Sequence, residues 1–292
     1  MSGFTPMINA QTTIGTVTLN VANLKQMTAF YRKVIGLQVL ATSTETVTLG
    51  TPTRPLIHLH HLSHGTSPQR GSGLYHLALR VPNRAALARW LRHYVEQEAP
   101  GWQGASDHGV SEALYLSDPE GNGLEIYCDR PPEAWQVNAD GTIRMYSRLL
   151  DVQALLHSAN GQHITSIDEA TDMGHIHLRV SDISRAQRFY VDAFGFALKT
   201  MLPDSALFVA AGGYHHHIGL NNWHSRGGPD NSAKSYGLAQ FELVFDSAQS
   251  RQETLEQLNA NYHIITDQDG QPTVMDPFQN SIVLTHDRIV RR

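Results

Sequence analysis

Residues near the start of the chain recur in order and without a gap at a constant spacing of 159: Gly15 and Gly174, Val21 and Val180, Phe30 and Phe189, Tyr31 and Tyr190, Gly36 and Gly195. An internal repeat constrains architecture before any single motif does. The repeated unit can be read residue by residue. From Ile14 to Val21, Val17, Leu19 and Val21 alternate with Thr16, Thr18 and Asn20, which predicts a half-buried strand. Leu24, Met27, Phe30, Tyr31, Val34 and Ile35 then recur at helical spacing, and Gly36 stands where a left-handed residue would end the helix. Strands are expected around Val39 to Leu49 and Leu56 to Leu62. The unit is a strand, a helix and three strands.

It returns between Gly73 and Arg130, where Leu74 to Val81 reads as a strand, Pro82-Asn83 opens a helix, and Leu87, Trp90, Leu91 and Tyr94 form its buried stripe. A third copy begins at Gly174. In a fourth, from Tyr236 to Thr285, Gly237-Leu238 matches Gly73-Leu74 and Asp276-Pro277 matches Asp118-Pro119. The expected class is α+β: four βαβββ modules (14–64, 73–130, 173–224 and 236–285) in two halves, 1–130 and 173–292. Between them, 131–172 reads as an ordered connector, broken by Pro131-Pro132 and Asp140-Gly141 and helical only from Asp151 to Ser158.

Composition removes several function classes. With 292 residues, 41% hydrophobic and 17% charged, the chain can bury a sizeable core. A net charge of −5, with no basic run before Arg288 to Arg292, argues against a nucleic-acid partner. No apolar stretch is long enough to span a bilayer, and no charged-then-apolar leader precedes the first Lys or Arg, Lys25. The single cysteine, Cys128, excludes an internal disulfide, so a cytoplasmic protein is expected; a secreted one needing no staple is the other reading. The 17 histidines raise the prior for a metal site.

The densest chemistry lies from Ser106 to Tyr127, SDHGVSEALYLSDPEGNGLEIY, where a turn from Asp118 to Gly123 folds two strands back on each other. His108, Leu114-Tyr115, Asp118-Pro119-Glu120-Gly121 and Glu125 resemble the extradiol ring-cleaving dioxygenase signature, although Ser106 stands where that family usually has Gly, Asn, Thr or an aliphatic. Four modules whose helix ends FY…G look like the vicinal oxygen chelate (glyoxalase/bleomycin resistance/extradiol dioxygenase) superfamily. Within it, SEALYLSDPEGNG, GHIHLRVSD and GGYHHHIGLN resemble the bacillus-type catechol 2,3-dioxygenases. The resemblance implies that modules pair edge to edge into two open-barrel sheets, with a divalent metal in a cavity.

In that family a module offers ligands from its first and last strands. First strands present Thr16, His76, His175 and Gln240; on last strands Glu125 corresponds to Val283. His76, Glu125 and His175 therefore form the expected metal set, two histidines and one carboxylate, suited to Fe(II), with another divalent metal as the alternative. Modules two and three should share that cavity, and modules one and four an empty one. His177 shares a strand face with His175; His175 is taken because it lies five before Val180, the family's spacing. Glu125, between Leu124 and Ile126, should face either solvent or a cation. If Tyr214 to Leu220 is a strand, His216 points opposite to His215 and His217. The resemblance makes His216 the acid–base residue, with Tyr214, His215 and His217 as substrate-binding residues. His58, His60, His61 and His64 are read as surface or core polar groups.

The implied function is non-haem iron(II)-dependent extradiol cleavage of a catechol by dioxygen, as in the catabolism of aromatic compounds. His216 would titrate near neutrality as base and then acid, and Tyr115 and His108 would donate hydrogen bonds to substrate oxygens. Catechol and O2 are the expected partners, and a homo-oligomer is left open. Two alternatives remain: a glyoxalase-like metal-dependent isomerase or lyase, and a non-catalytic small-molecule binder of the same fold. The first would usually want a second carboxylate on the last strand of the partner module, where His215 to His217 stand instead.

Overall fold

The structure, a computed structural model, describes residues 7–66, 71–259, 261–267 and 270–286. The basic run from Arg288 to Arg292 lies outside the described residues. The first module holds β1 (Thr13–Val21), α1 (Leu24–Phe30), β2 (Gln38–Thr42), β3 (Thr46–Thr51) and β4 (Arg54–His61). In the second are β5 (Gly73–Arg80), α2 (Arg84–Glu96), β6 (Trp102–Asp107), β7 (Ser111–Ser117) and β8 (Gly123–Asp129). The connector adds β9 (Arg148–Leu149) and α3 (Val152–His157). The third module has β10 (Asp172–Arg179), α4 (Ile183–Gln187), β11 (Ala197–Leu202), β12 (Ala206–Ala210) and β13 (Ile218–Asn221). The fourth has β14 (Gly237–Phe245), α5 (Ala248–Asn259), β15 (Ile264–Thr266), β16 (Pro272–Met275) and β17 (Ser281–His286).

Two curled sheets sort these modules. One has eight strands in the order β15-β16-β17-β14-β1-β4-β3-β2, from modules four and one. The other has nine, β11-β12-β13-β10-β5-β8-β7-β6-β9, from modules three and two with the connector's strand at its edge. First strands meet antiparallel at each centre: Val17 lies opposite Phe241, and Leu77 opposite Ile176. Among the described residues no helix is long and apolar enough to cross a membrane.

Period-2 alternation decides what each face carries. On β5, Leu77 and Leu79 join Leu87, Trp90 and Leu91 of α2 in the main core. Ala78, on the opposite face, belongs to a separate small cluster with Ala113, Tyr127 and the partly buried Tyr115. Curling also buries polar residues on the inner face, including Thr16 and Asn20 of β1, so that strand is buried beyond the half its alternation predicts. The stretch from Val39 to Leu49 is a hairpin rather than one run, because the Ser43 hydroxyl accepts from the amides of Glu45 and Thr46 and turns the chain.

The FY…G motif has a structural job. In both copies the helix ends in a wide turn, Tyr31–Ile35 and Arg188–Ala193, and a glycine reverses the chain, Gly36 at φ 87° and Gly195 at φ 86°. The wide turn directs a fully buried tyrosine into the Asp-Pro turn of the next module: Tyr31 donates to Asp118 at 3.0 Å and Tyr190 to Asp276 at 2.8 Å. A hydrogen bond to a carboxylate contributes about 1.5–3 kcal/mol. Each one links the two sheets, and the first fixes the turn from which β8, and with it Glu125, departs. Glu120 of the same turn accepts from the amides of Ala22 and Asn23 at the start of α1.

A candidate metal centre and its cavity

Strands β10, β5 and β8 lie side by side at the middle of the nine-stranded sheet. Ala78 of β5 is opposite His175 on one side and opposite Glu125 on the other. Residues directly opposite share a face, and His76 is two residues from Ala78, so register alone puts His76, His175 and Glu125 on one face. Glu125 Oε2 is 3.0 Å from His76 Nε2 and 3.1 Å from His175 Nε2. One ligand atom from each residue lies within 4.8 Å of the others, and all three side chains are buried. No other group of three such residues occurs among the described residues.

The electrostatics of this cluster suit a cation. Burial pushes the Glu125 carboxyl up, but His175 and His76 outweigh it and hold the group well below the usual carboxylate range. Burial pushes the His175 imidazole down, with Glu125 acting the other way. The result is a buried carboxylate facing imidazole nitrogens. Although it lies 3.0 Å from that carboxylate, His76 Nε2 makes no hydrogen bond of acceptable geometry, and His175 Nδ1 has no partner among the described residues. A divalent ion would satisfy the converging Nε2 atoms and the carboxylate together, and the donor set, two imidazoles and one carboxylate on one face, is the one iron(II) takes. The residues present fit such an ion.

A cavity of about 1140 Å³ opens over this face. His108, Tyr115 and His216 line it, whereas Tyr214, His215 and His217 do not. His108 Nδ1 donates to the carbonyl of Tyr146 at 2.8 Å, which leaves its Nε2 as the acceptor for the Tyr115 hydroxyl at 2.7 Å. His108 thus has no N–H to offer a substrate oxygen, and the movable proton of the pair belongs to Tyr115. Burial raises the Tyr115 phenol well above its ordinary value, and Glu125 beside it raises it further.

Residues 214–217 are not strand, because β13 begins only at Ile218. Alternation therefore does not govern them. All three imidazoles are buried, none solvated. His215 Nε2 donates to Asp129 Oδ1 at 2.8 Å, and its Nδ1 lies 2.8 Å from His216 Nδ1. With the His215 hydrogen on Nε2, its Nδ1 is the acceptor of the second bond and His216 Nδ1 the donor, which leaves His216 Nε2 bare. His216 packs on His175 at 4.2 Å between ring centroids. Tyr214 donates to Asp129 and receives from Tyr127, and His217 Nδ1 accepts the Ala211 amide. The side chains expected to bind substrate are instead committed to this chain of bonds behind the wall. Sequence reading missed Asp129, although it lies four residues beyond Glu125 on the same strand face, a spacing that could have flagged it.

Of the two candidates on β10, His175 reaches Glu125 and His177 does not. His177 Nε2 accepts from Asn221 Nδ2 at 3.0 Å. Its ring lies over Gly219, where a Cβ would come within 2.9 Å of it. Gly219 pairs with His177 as Glu125 pairs with Ala78, so it is the pseudosymmetric counterpart of Glu125, and the partner module has no room for a second carboxylate. In the other sheet Glu242 accepts from the Thr16 amide, and His58, His60 and His61 bond to Thr48, Asn20 and Glu45.

Comparison with known proteins identifies the family. The model of the Glyoxalase/Bleomycin resistance protein/Dioxygenase superfamily matches residues 13–126 and 172–284. Catechol-2,3-dioxygenase of Bacillus subtilis (strain 168) is 36% identical over 284 residues, 94% of this chain and 98% of that protein. A solved structure from Bacillus subtilis subsp. subtilis str. 168 superposes with a TM-score of 0.66 at 14% identity, covering 97% of this chain and 87% of that one. Glyoxalase I from Zea mays does so with a TM-score of 0.55 at 15% identity, covering 94% and 92%. At such identities these two structures speak for the fold alone. Two repeated matches and a relative spanning nearly the whole chain make it a member of the glyoxalase/bleomycin resistance protein/dioxygenase superfamily.

Proposed function

We propose that this chain cleaves a catechol ring beside its two hydroxyls, using dioxygen and an iron(II) ion held by His76, Glu125 and His175. It is an extradiol dioxygenase-like enzyme, and the observation carrying the finer reading is the convergence of two imidazoles and one carboxylate on the floor of the cavity. When bound, iron(II) supplies coordination of the diol and electron exchange with dioxygen. The chain's own groups bind, orient and move protons. His216 Nε2 takes a hydroxyl proton from the catechol and later returns it. Asp129 and His215 keep that nitrogen bare by fixing the neighbouring tautomers. Tyr115, whose proton is donated to His108 Nε2, turns its phenol oxygen to the substrate as an acceptor for a catechol hydroxyl. Phe208 packs against His216 and His177, giving the ring an apolar wall. A glyoxalase-type reading is disfavoured by Gly219, which stands where its second carboxylate would be needed.

The test is anaerobic loading with ferrous ion followed by air and catechol. A yellow ring-opened product and consumption of one dioxygen per catechol are expected; no oxygen uptake with any catechol would remove the proposal. A pH profile adds detail. Burial pushes the His216 imidazole well below its ordinary range, and His175, His215 and His217 push it further. The base then stays unprotonated in mildly acidic solution, so the acid limb of kcat/KM is expected well below pH 6.5, the ordinary histidine value. A limb at the ordinary value would assign the base to another group.

A further inference from the structure

We infer that Arg179 forms an anion subsite at one end of the cavity and that the substrate is a catechol carrying a carboxylate on a short side chain. The inference rests on the catechol reading above and narrows it. Arg179 lies on β10 two and four residues beyond His177 and His175, which puts all three on the cavity face. Two acids line the wall among the described residues, and both are engaged: Glu120 with the amides of Ala22 and Asn23, Glu125 with His76 and His175. Arg179 is the one Lys or Arg there among the described residues. Its side chain has no ion pair or hydrogen bond among them, and its Nε is shut from water without an acceptor.

An arginine in that position is incomplete. Its guanidinium lines the cavity without a carboxylate partner among the described residues, and its planar fork matches a carboxylate in particular. The other arginines near the site have carboxylate partners, which Arg179 lacks: Arg80 binds Asp129 and Asp172, and Arg130 binds Asp107 and Glu112. Around Arg179 the wall carries Tyr75 and Trp223, whose rings meet edge to face at 5.5 Å, which suits a flat ligand. Four residues along a strand span about 13 Å. A catechol ring with a short carboxylate arm and an extended arginine side chain together fill that span, with the diol at the His76, Glu125 and His175 end.

The experiment compares 4-hydroxyphenylacetate with p-cresol, its uncharged counterpart, by calorimetric titration of the protein, with neither probe cleaved. The wild type is expected to prefer the carboxylate by roughly 10- to 100-fold. Arg179→Gln should collapse that ratio and Arg179→Lys should restore part of it; both variants are checked for a wild-type unfolding midpoint. A wild type without preference, or Arg179→Gln with the ratio intact, overturns the subsite. If Arg179→Gln does not fold, Arg179→Lys carries the comparison, and a wild type without preference overturns the subsite by itself. Steady-state cleavage of catechol against 3,4-dihydroxyphenylacetate separates the two claims. Ring cleavage without carboxylate preference defeats the subsite alone. An Arg179-dependent preference with no cleavage of either diol defeats the dioxygenase reading alone.

Discussion

Replacing Glu125 with alanine is expected to remove both bound iron and ring cleavage, each by more than about 100-fold, since even groups behind a ligand cost 10- to 100-fold when lost. Glu125 Oε2 is the atom on which His76 and His175 converge, and no other acid among the described residues completes the set. The fold should survive, because alanine leaves no carboxylate to pair and His175, which burial pushes down, stays an uncharged imidazole there. Thermal unfolding distinguishes ligand loss from misfolding. A ligand at a hundredfold its dissociation constant stabilises a native state by about 2.7 kcal/mol. Ferrous ion should therefore raise the wild-type midpoint and leave that of Glu125→Ala unmoved. Unchanged metal content in the variant, judged by elemental analysis, would contradict the assignment.

Asp129→Asn is expected to separate chemistry from metal binding. Asp129 receives protons from His215, Tyr214 and Arg80. Asparagine presents an N–H where the carboxylate accepted one, so His215 takes the opposite tautomer and donates to His216 Nδ1. His216 Nε2 then carries a hydrogen and can no longer act as base. The expected result is a kcat lower by about 10- to 100-fold with iron stoichiometry unchanged. Arg80 keeps its two bonds to Asp172, which limits the structural cost. Iron lost in step with activity would instead make Asp129 a structural support.

The contrast between these two substitutions mirrors what could be read from residues alone. His76, Glu125 and His175 were legible because they sit on regular strands, where repeat alignment and period-2 alternation fix both position and face. Tyr214 to His217 resisted that logic. They occupy the turn before β13, so facing is set by Asp129 and Tyr127, residues about 85 positions away in sequence. The role of the connector was hidden for a similar reason. Its Tyr146 carbonyl fixes the His108 tautomer and its Arg148–Leu149 strand pairs with β6, yet neither carries a periodic signal. A titration near neutrality for His216 was the ordinary expectation, and only tertiary burial among other imidazoles shifts it. Paired sheets, by contrast, were implied by the family resemblance that the repeated modules carry, and the first strands meet antiparallel at each centre.

The most direct test is a crystal grown anaerobically with ferrous ion, mapped by anomalous scattering at the iron edge. One peak should appear between Nε2 of His76, Nε2 of His175 and the Glu125 carboxylate, on the cavity side of the nine-stranded sheet. A map with no peak there, or with iron bound by His177, His216 or residues of the eight-stranded sheet, would contradict it.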